Sequence, residues 1–303
     1  MISVIICTYN REKYIYETLR RVAGNTLETS NYEIILVNNN STDGTDAECQ
    51  RFLSDFPDVT CRYFIETNQG LSFARNRGIK ESTGDILVFL DDDSFIESDY
   101  LSHLSHQMEL HPEAMAFGGK IIPQFESGVT PRWICKWTYS WVSAIDKGNK
   151  VCEFKDGSYP IGANMGFRKA TIDKIGTFNT ALGRTKKNLL GGEEKDIFNR
   201  LRAEGGKVLY FPDITIHHVI PDSRTTKEYI ERLGFGVGTS EYIRCSGNGT
   251  LGKRRRSELV KWGATFVLWA LYLLKGNPQV GSRLYCFRKN VSKSLFAKNC
   301  PEI

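Results

Sequence analysis

The chain reads as an α/β protein: a doubly wound, mostly parallel sheet with helices on both faces, followed by a helical C-terminal extension. Two observations predict this. Short apolar runs rich in β-branched residues recur through the first ninety residues, the clearest being Ile86-Leu87-Val88-Phe89-Leu90. Such runs, apolar at every position instead of alternating, belong to strands buried on both faces. Segments of helical periodicity separate them, and repeated βα units build a parallel sheet through right-handed crossovers.

The elements follow in order. Ser3 to Cys7 is the first strand, and Arg11 to Val22 a helix, with Tyr14, Thr18 and Val22 stacked at i, i+4 and i+8. Glu33 to Val37 is the second strand, followed by the turn Ser41-Thr42-Asp43-Gly44-Thr45 and a helix to about Leu53. Cys61 to Glu66 is the third, Asn68-Gln69-Gly70 its turn, and Ser72 to Lys80 the helix that feeds the strand Ile86 to Leu90. Beyond residue 100 the pattern loosens. Residues 123–160 carry Trp133, Trp137 and Trp141 with few periodic runs, and read as an irregular insert. A helix from Glu193 to about Ala203 and strands at Val208 to Phe211 and Asp213 to His217 come next. The predicted division is 1–225 for the sheet domain, in halves 1–95 and 96–225, with 226–303 as the helical extension, broken at Ser246-Gly247-Asn248-Gly249.

Composition narrows the function classes. The 303 residues are 41% hydrophobic and 25% charged, ordinary for a folded soluble protein. A formal charge of +5 is too small to point to nucleic acid, although Lys253-Arg254-Arg255-Arg256 concentrates positive charge locally. The eight cysteines form no CxxC pair and lack a histidine at zinc spacing, which favours a reduced, cytoplasmic setting. The chain enters a strand directly after Met1, without the basic and apolar regions of a secretory signal, so translocation is not expected. The apolar stretch Trp262 to Leu274 is shorter than the ~20 residues a spanning helix needs. With Trp262, Trp269, Tyr272 and the upstream basic run, it either lies in a membrane interface, at the inner face, or packs on the catalytic domain.

Asp91, Asp92 and Asp93 stand directly after the fourth strand, at the carboxyl end where open α/β sheets bind ligands. Adjacent carboxylates raise one another's pKa unless a cation sits among them, and oxygen ligands suit Mg²⁺ or Mn²⁺. The plainer reading is an acidic turn in which Asp93 or Ser94 caps the next helix. Dinucleotide binding fails as an explanation, because the place of a GxGxxG turn after the first strand holds Thr8-Tyr9-Asn10-Arg11. No Walker loop exists either. Polar residues close four successive strands: Thr8-Tyr9-Asn10, Asn38-Asn39-Asn40, Asn68 to Gly70 with Arg75, and the aspartates. Each alone is ordinary turn chemistry. All four together define one rim of the sheet.

These stretches, with Ser3 to Arg11, Ser41 to Thr45, Gly70 to Gly78, Phe89 to Asp93, Gly162 to Arg168 and Gly191-Gly192-Glu193-Glu194, resemble the family 2 glycosyltransferases of the GT-A fold over roughly residues 1–225. The resemblance implies an inverting, metal-dependent transfer of a sugar from a nucleotide donor to a glycan or lipid-linked acceptor, as in cell-surface polysaccharide synthesis. It places Thr8 and Asn38 at the base, Asp91 near the ribose, and Tyr9, Asn10, Arg11, Asn68, Gly70, Arg75 and Asp92 around the donor. Asp93, with Asp91, would hold the metal, and His217 or His218 resembles the third ligand. Strand alternation allows only one of the two, and His217 is preferred.

The family's base is the second acid of a Gly-Glu-Asp motif, here Glu194, with Glu193 next and Asp196 third; Asn164, Glu193 and Asp196 fall on the acceptor side. Acids at a helix start are also stabilised by the macrodipole without any chemistry. Asn38 replaces a common aspartate, so a UDP-sugar is favoured with less force: an amide can donate as well as accept. The competing classes are a nucleotidyltransferase, which needs a Gly- and Arg-rich loop after the first strand, and an inactive carbohydrate-binding relative, free to lose the carboxylates that this chain keeps.

Overall fold

The computed structural model describes residues 1–182 and 192–299. Four parallel strands come first: β1 (Ile2–Thr8), β2 (Tyr32–Asn38), β3 (Cys61–Ile65) and β4 (Ile86–Asp91), ordered β3-β2-β1-β4. The sheet continues past β4 through β8 (Asn164–Arg168), β6 (Ala114–Phe125), β9 (Lys207–Ile220) and β5 (Ser94–Ile96), with β7 (Cys152–Glu153) beside β9; β8 is antiparallel to β4 and to β6, and β9 to β5 and to β7.

The uniformly apolar strands are explained by two cores, one on each face. Val4, Ile6, Ile34, Leu36, Val88 and Leu90 enter one, against α1 (Ile15–Ala23), α2 (Thr45–Asp55) and α4 (Tyr100–Leu110). Ile5, Ile35, Val37, Leu87 and Phe89 enter the other, with α3 (Leu71–Glu81), α5 (Lys169–Ile175) and α6 (Glu193–Ala203). A period of two therefore sends successive residues to opposite cores. This is the doubly wound, mostly parallel α/β fold expected from the sequence, with an antiparallel half added.

Asp93 and Ser94 do not cap a helix. Ser94 opens β5, and α4 begins only at Tyr100. The two strands expected around Pro212 are one continuous β9.

The chain divides into two compact units. One comprises Met1–Pro123, Ser143–Ala181 and Glu193–Val219; the other joins Gln124–Val142 to the chain after Val219. The irregular tryptophan-bearing segment is thus split, and its first part folds with the C-terminal helices α7 (Lys227–Gly247), α8 (Leu251–Leu274) and α9 (Pro278–Leu295). Trp141 stacks on Phe287 with ring centres 4.5 Å apart, and Asn277 Nδ2 donates to the Arg132 carbonyl at 2.8 Å. At the centre of the helices Glu258, fully buried, is held by Arg254 at 2.9 Å and Arg288 at 3.0 Å.

Candidate active site

Parallel register brings the strand ends level. Thr8 pairs with Asn38, and Cys7 with Asp91. Asn39 ties the rim together: its Nδ2 donates to the carbonyls of Glu66 and Asn68, and its Oδ1 accepts from the Gly70 N–H at 2.8 Å. Asn38 is buried with its amide oriented by two bonds, Oδ1 accepting from Ser41 N at 2.9 Å and Nδ2 donating to Tyr63 Oη at 2.8 Å. Tyr63 in turn donates to Asp46 at 2.5 Å. Asn68 donates from both its backbone N–H and its Nδ2 to Glu66 Oε1, each at 2.8 Å. Asn10, at φ 52°, accepts from Thr42 N at 2.8 Å, and Glu12 accepts from Gly44 N at 2.7 Å. The Ser41–Thr45 turn is therefore a clasp on the loop after β1.

The three aspartates diverge. Asp92 is buried against Arg11, whose Nε lies 3.2 Å from its Oδ1, and it accepts from Tyr9 N at 3.4 Å. Burial pushes the Asp92 carboxyl up to about 7, Asp93 adding to the rise while Arg11 opposes it. Arg11 also lies 3.4 Å from Asp93 Oδ2, and this pair of carboxylates holds its guanidinium charged despite burial.

β5 pairs antiparallel with β9, Ser94 opposite His218, which brings His218 Nε2 to 3.0 Å from Asp93 Oδ1 and 4.0 Å from Asp91 Oδ2. Ligand atoms of Asp91, Asp93 and His218 all lie within 4.8 Å of one another. His217, preferred from the sequence, belongs to the other face: its Nε2 meets Glu97 Oε1 at 2.7 Å, and the preference passes to His218. The donor set fits a divalent cation. Neither ring nitrogen of the buried His218 is in hydrogen-bond geometry with any group, which a metal ligand would resolve.

Arg75 connects the aspartates to the acids of α6. Its buried guanidinium lies 3.1 Å from Glu193, 3.5 Å from Glu194 and 3.9 Å from Asp91. Burial lowers its proton affinity, but Glu194, Glu193 and Asp91 more than compensate. Glu193 is buried, whereas Glu194 keeps a 20% exposed side chain and accepts from Gly162 N at 2.8 Å. Burial pushes the Glu194 carboxyl up to about 7, Glu193 adding to it, with Arg75 and the Gly162 N–H pulling the other way. Gly162 has to be glycine: a Cβ there would stand 1.9 Å from Arg75 Nη2 and 2.5 Å from Glu194 Oε1. Gly192 has φ 110°, and Gly191 lies outside the described residues.

Two expected acceptor residues serve the fold instead. Asn164 is fully buried, accepting from Tyr100 Oη at 2.6 Å and donating to the carbonyls of Ile214 and Lys120. Its amide is closed off from solvent. Asp196 pairs with Arg200 one helical turn on, at 3.0 Å, and Arg200 also bonds the carbonyls of Ile175, at the end of α5, and Thr177, so this acid fastens α6. Sequence reasoning missed the Asn39 knot and the bridging role of Arg75. The first carries no signal beyond a common turn residue; the second could have been raised by the excess of acids at the rim.

Residues 3–176 match the family described as Glycosyl transferase family 2. The glucosyl-dolichyl phosphate glucuronosyltransferase of Haloferax volcanii is 26% identical over 247 residues, 80% of this chain and 76% of that one. The succinoglycan biosynthesis protein ExoM of Rhizobium meliloti is 27% identical over 240 residues, covering 78% and 72%. Among solved structures, the mannosyltransferase PcManGT from Pyrobaculum calidifontis, in complex with GDP-Man and Mn²⁺, superposes with a TM-score of 0.63 at 17% identity, over 96% of this chain and 87% of that one; this is a likeness of fold. Over more than half its length, the chain belongs to glycosyl transferase family 2.

Proposed function

We propose that the chain is an inverting, divalent-metal-dependent glycosyltransferase that moves a sugar from a nucleotide-diphosphate sugar to a hydroxyl of a saccharide acceptor carried on a lipid. The observation that carries this is the Arg75 bridge, one guanidinium joining Asp91 of the Asp91, Asp93 and His218 group to the two acids of α6. Donor cluster and base thereby share one charge network.

Asp93, His218 and Asp91 would hold Mn²⁺ or Mg²⁺, which supplies charge stabilisation to the departing nucleoside diphosphate. Glu194 is the base: it is the more exposed acid, and its raised proton affinity suits a group that takes a proton near neutral pH. It removes the hydroxyl proton as the acceptor oxygen bonds to the anomeric carbon and the bond from that carbon to the diphosphate breaks. Direct displacement inverts the anomer. Thr8, Asn38 and the Asn68 to Gly70 turn are assigned to the donor nucleotide, with uracil favoured, since Asn38 Oδ1 retains one acceptor lone pair beyond its bond to Ser41. The lipid-linked acceptor is supported by the names of the relatives, one of which acts on a dolichyl phosphate glucoside.

The test is calorimetry of nucleoside diphosphate with and without Mn²⁺. Asp93→Ala should lose the Mn²⁺-dependent part of the binding while keeping the fold. Unchanged Mn²⁺-dependent affinity would sink the metal assignment.

A further inference from the structure

Helix α8 is inside out. It turns Glu258 inward with no exposed surface, together with Thr265 and most of Arg254. Its opposite face presents Val260, Val267 and Leu274, spaced seven residues apart and 76%, 60% and 84% exposed. Leu259, Phe266 and Leu273 flank that stripe, each about half exposed or more. A water-facing surface helix shows the reverse pattern, with its apolar stripe toward the core. The inward face is already satisfied, since Trp262 Nε1 bonds Ser292 Oγ at 2.9 Å and Arg288 of α9 closes on Glu258. Nothing in these three helices covers the outer one.

Charge identifies the occupant. Residues 251–299 hold eleven lysines and arginines against a single acid, Glu258, which is buried and already paired; the rest of the chain is net negative. Lys253 and Arg256 stand exposed on the outward face one to two turns before Val260, and Lys275 follows Leu274. A second copy of the chain would bring two such basic surfaces together. An anionic bilayer offers hydrocarbon for the stripe and phosphate charge for its ends. No described helix is long and apolar enough to cross a membrane.

We propose that α8 lies in the plane of an anionic lipid surface, its Val260, Val267 and Leu274 face immersed and Lys253, Arg256 and Lys275 at the headgroups. This does not depend on the acceptor reading above.

The test is co-sedimentation of the full chain with phosphatidylcholine vesicles, with and without phosphatidylglycerol, across a salt series. The chain should pellet with the anionic vesicles and be released by salt. Val260→Glu, Val267→Glu and Leu274→Glu combined should weaken partitioning roughly a thousandfold or more, about tenfold for each aliphatic side chain lost from the lipid. Circular dichroism should be unchanged, because these side chains are mostly exposed. Lys253→Glu with Arg256→Glu should abolish the preference for the anionic vesicles. Absence of wild-type binding to either vesicle would overturn the proposal, as would equal binding to both. So would a concentration-dependent dimer that the triple variant dissociates while the wild type ignores lipid, which would assign the face to a second copy.

Discussion

Gly162→Ala tests the geometry of the base without removing a charged group. The added Cβ would lie 1.9 Å from Arg75 Nη2 and 2.5 Å from Glu194 Oε1. Ordinary contact needs about 3.5 Å, so the guanidinium has to withdraw by roughly 1.5 Å and the carboxylate by about 1 Å. Neither has room: Arg75 is buried and pinned 3.1 Å from Glu193, and Glu194 is tethered to the Gly162 N–H at 2.8 Å. Overpacking of this kind costs about 1–3 kcal/mol in stability, and a ~1 Å misplacement of a reacting group costs ~10² in rate. The assay is release of nucleoside diphosphate at saturating donor and acceptor, beside thermal unfolding. We expect kcat down by about two orders of magnitude with donor affinity held within a few-fold. A variant with normal kcat and unchanged Tm would refute the placement of Glu194 and Arg75 around residue 162.

Glu194→Gln should lower kcat by ~10²–10⁴ with nucleotide-sugar binding nearly unchanged, and product NMR should show the inverted anomer; the larger loss in Glu193→Gln, or retention, would overturn the mechanism. The base must be unprotonated, so kcat should rise tenfold per pH unit below about 7 and level off above it, a profile that Glu194→Gln flattens. The same raised pKa works against stability. The folded chain holds this proton more tightly than the unfolded one, so the associated stability is full below the ordinary glutamate range and lost as pH rises through about 7. Urea unfolding of the Gln variant should lack that contribution. His218→Ala should abolish calorimetric Mn²⁺ binding where His217→Ala leaves it intact. Glu258→Ala should destabilise the helical unit by about 3 kcal/mol or more, because it takes from Arg288 the carboxylate that holds it and leaves Arg254 with Glu241 alone.

What the sequence made legible was what local rules decide. Two-sided apolar runs such as Ile86 to Leu90 located the parallel strands to within a residue or two, and their polar ends marked the rim. Long-range pairing decided the rest. Whether His217 or His218 meets the aspartates depends on the register of β9 against β5, and nothing within β9 encodes that. Asn164 sits in a conspicuous motif, yet its role comes from Tyr100 and Ile214, far away in sequence. The outward apolar face of α8 was visible as composition, but which face pointed outward required the positions of Glu258 and Thr265.

The rim gathers five carboxylates, Asp91, Asp92, Asp93, Glu193 and Glu194, around two guanidiniums, Arg11 and Arg75. Several of these acids are buried, where unbalanced charge is costly and must be met by protons or by a cation. The raised proton affinity of Glu194 is one expression of that imbalance, since Glu193 adds to it and Arg75 only partly offsets it. A divalent ion at Asp91, Asp93 and His218 would be the other. The arrangement that would make the site attract a cation is thus also what brings the proposed base toward neutral pH. Arg75 limits both effects, being among the described residues the positive group in contact with each half.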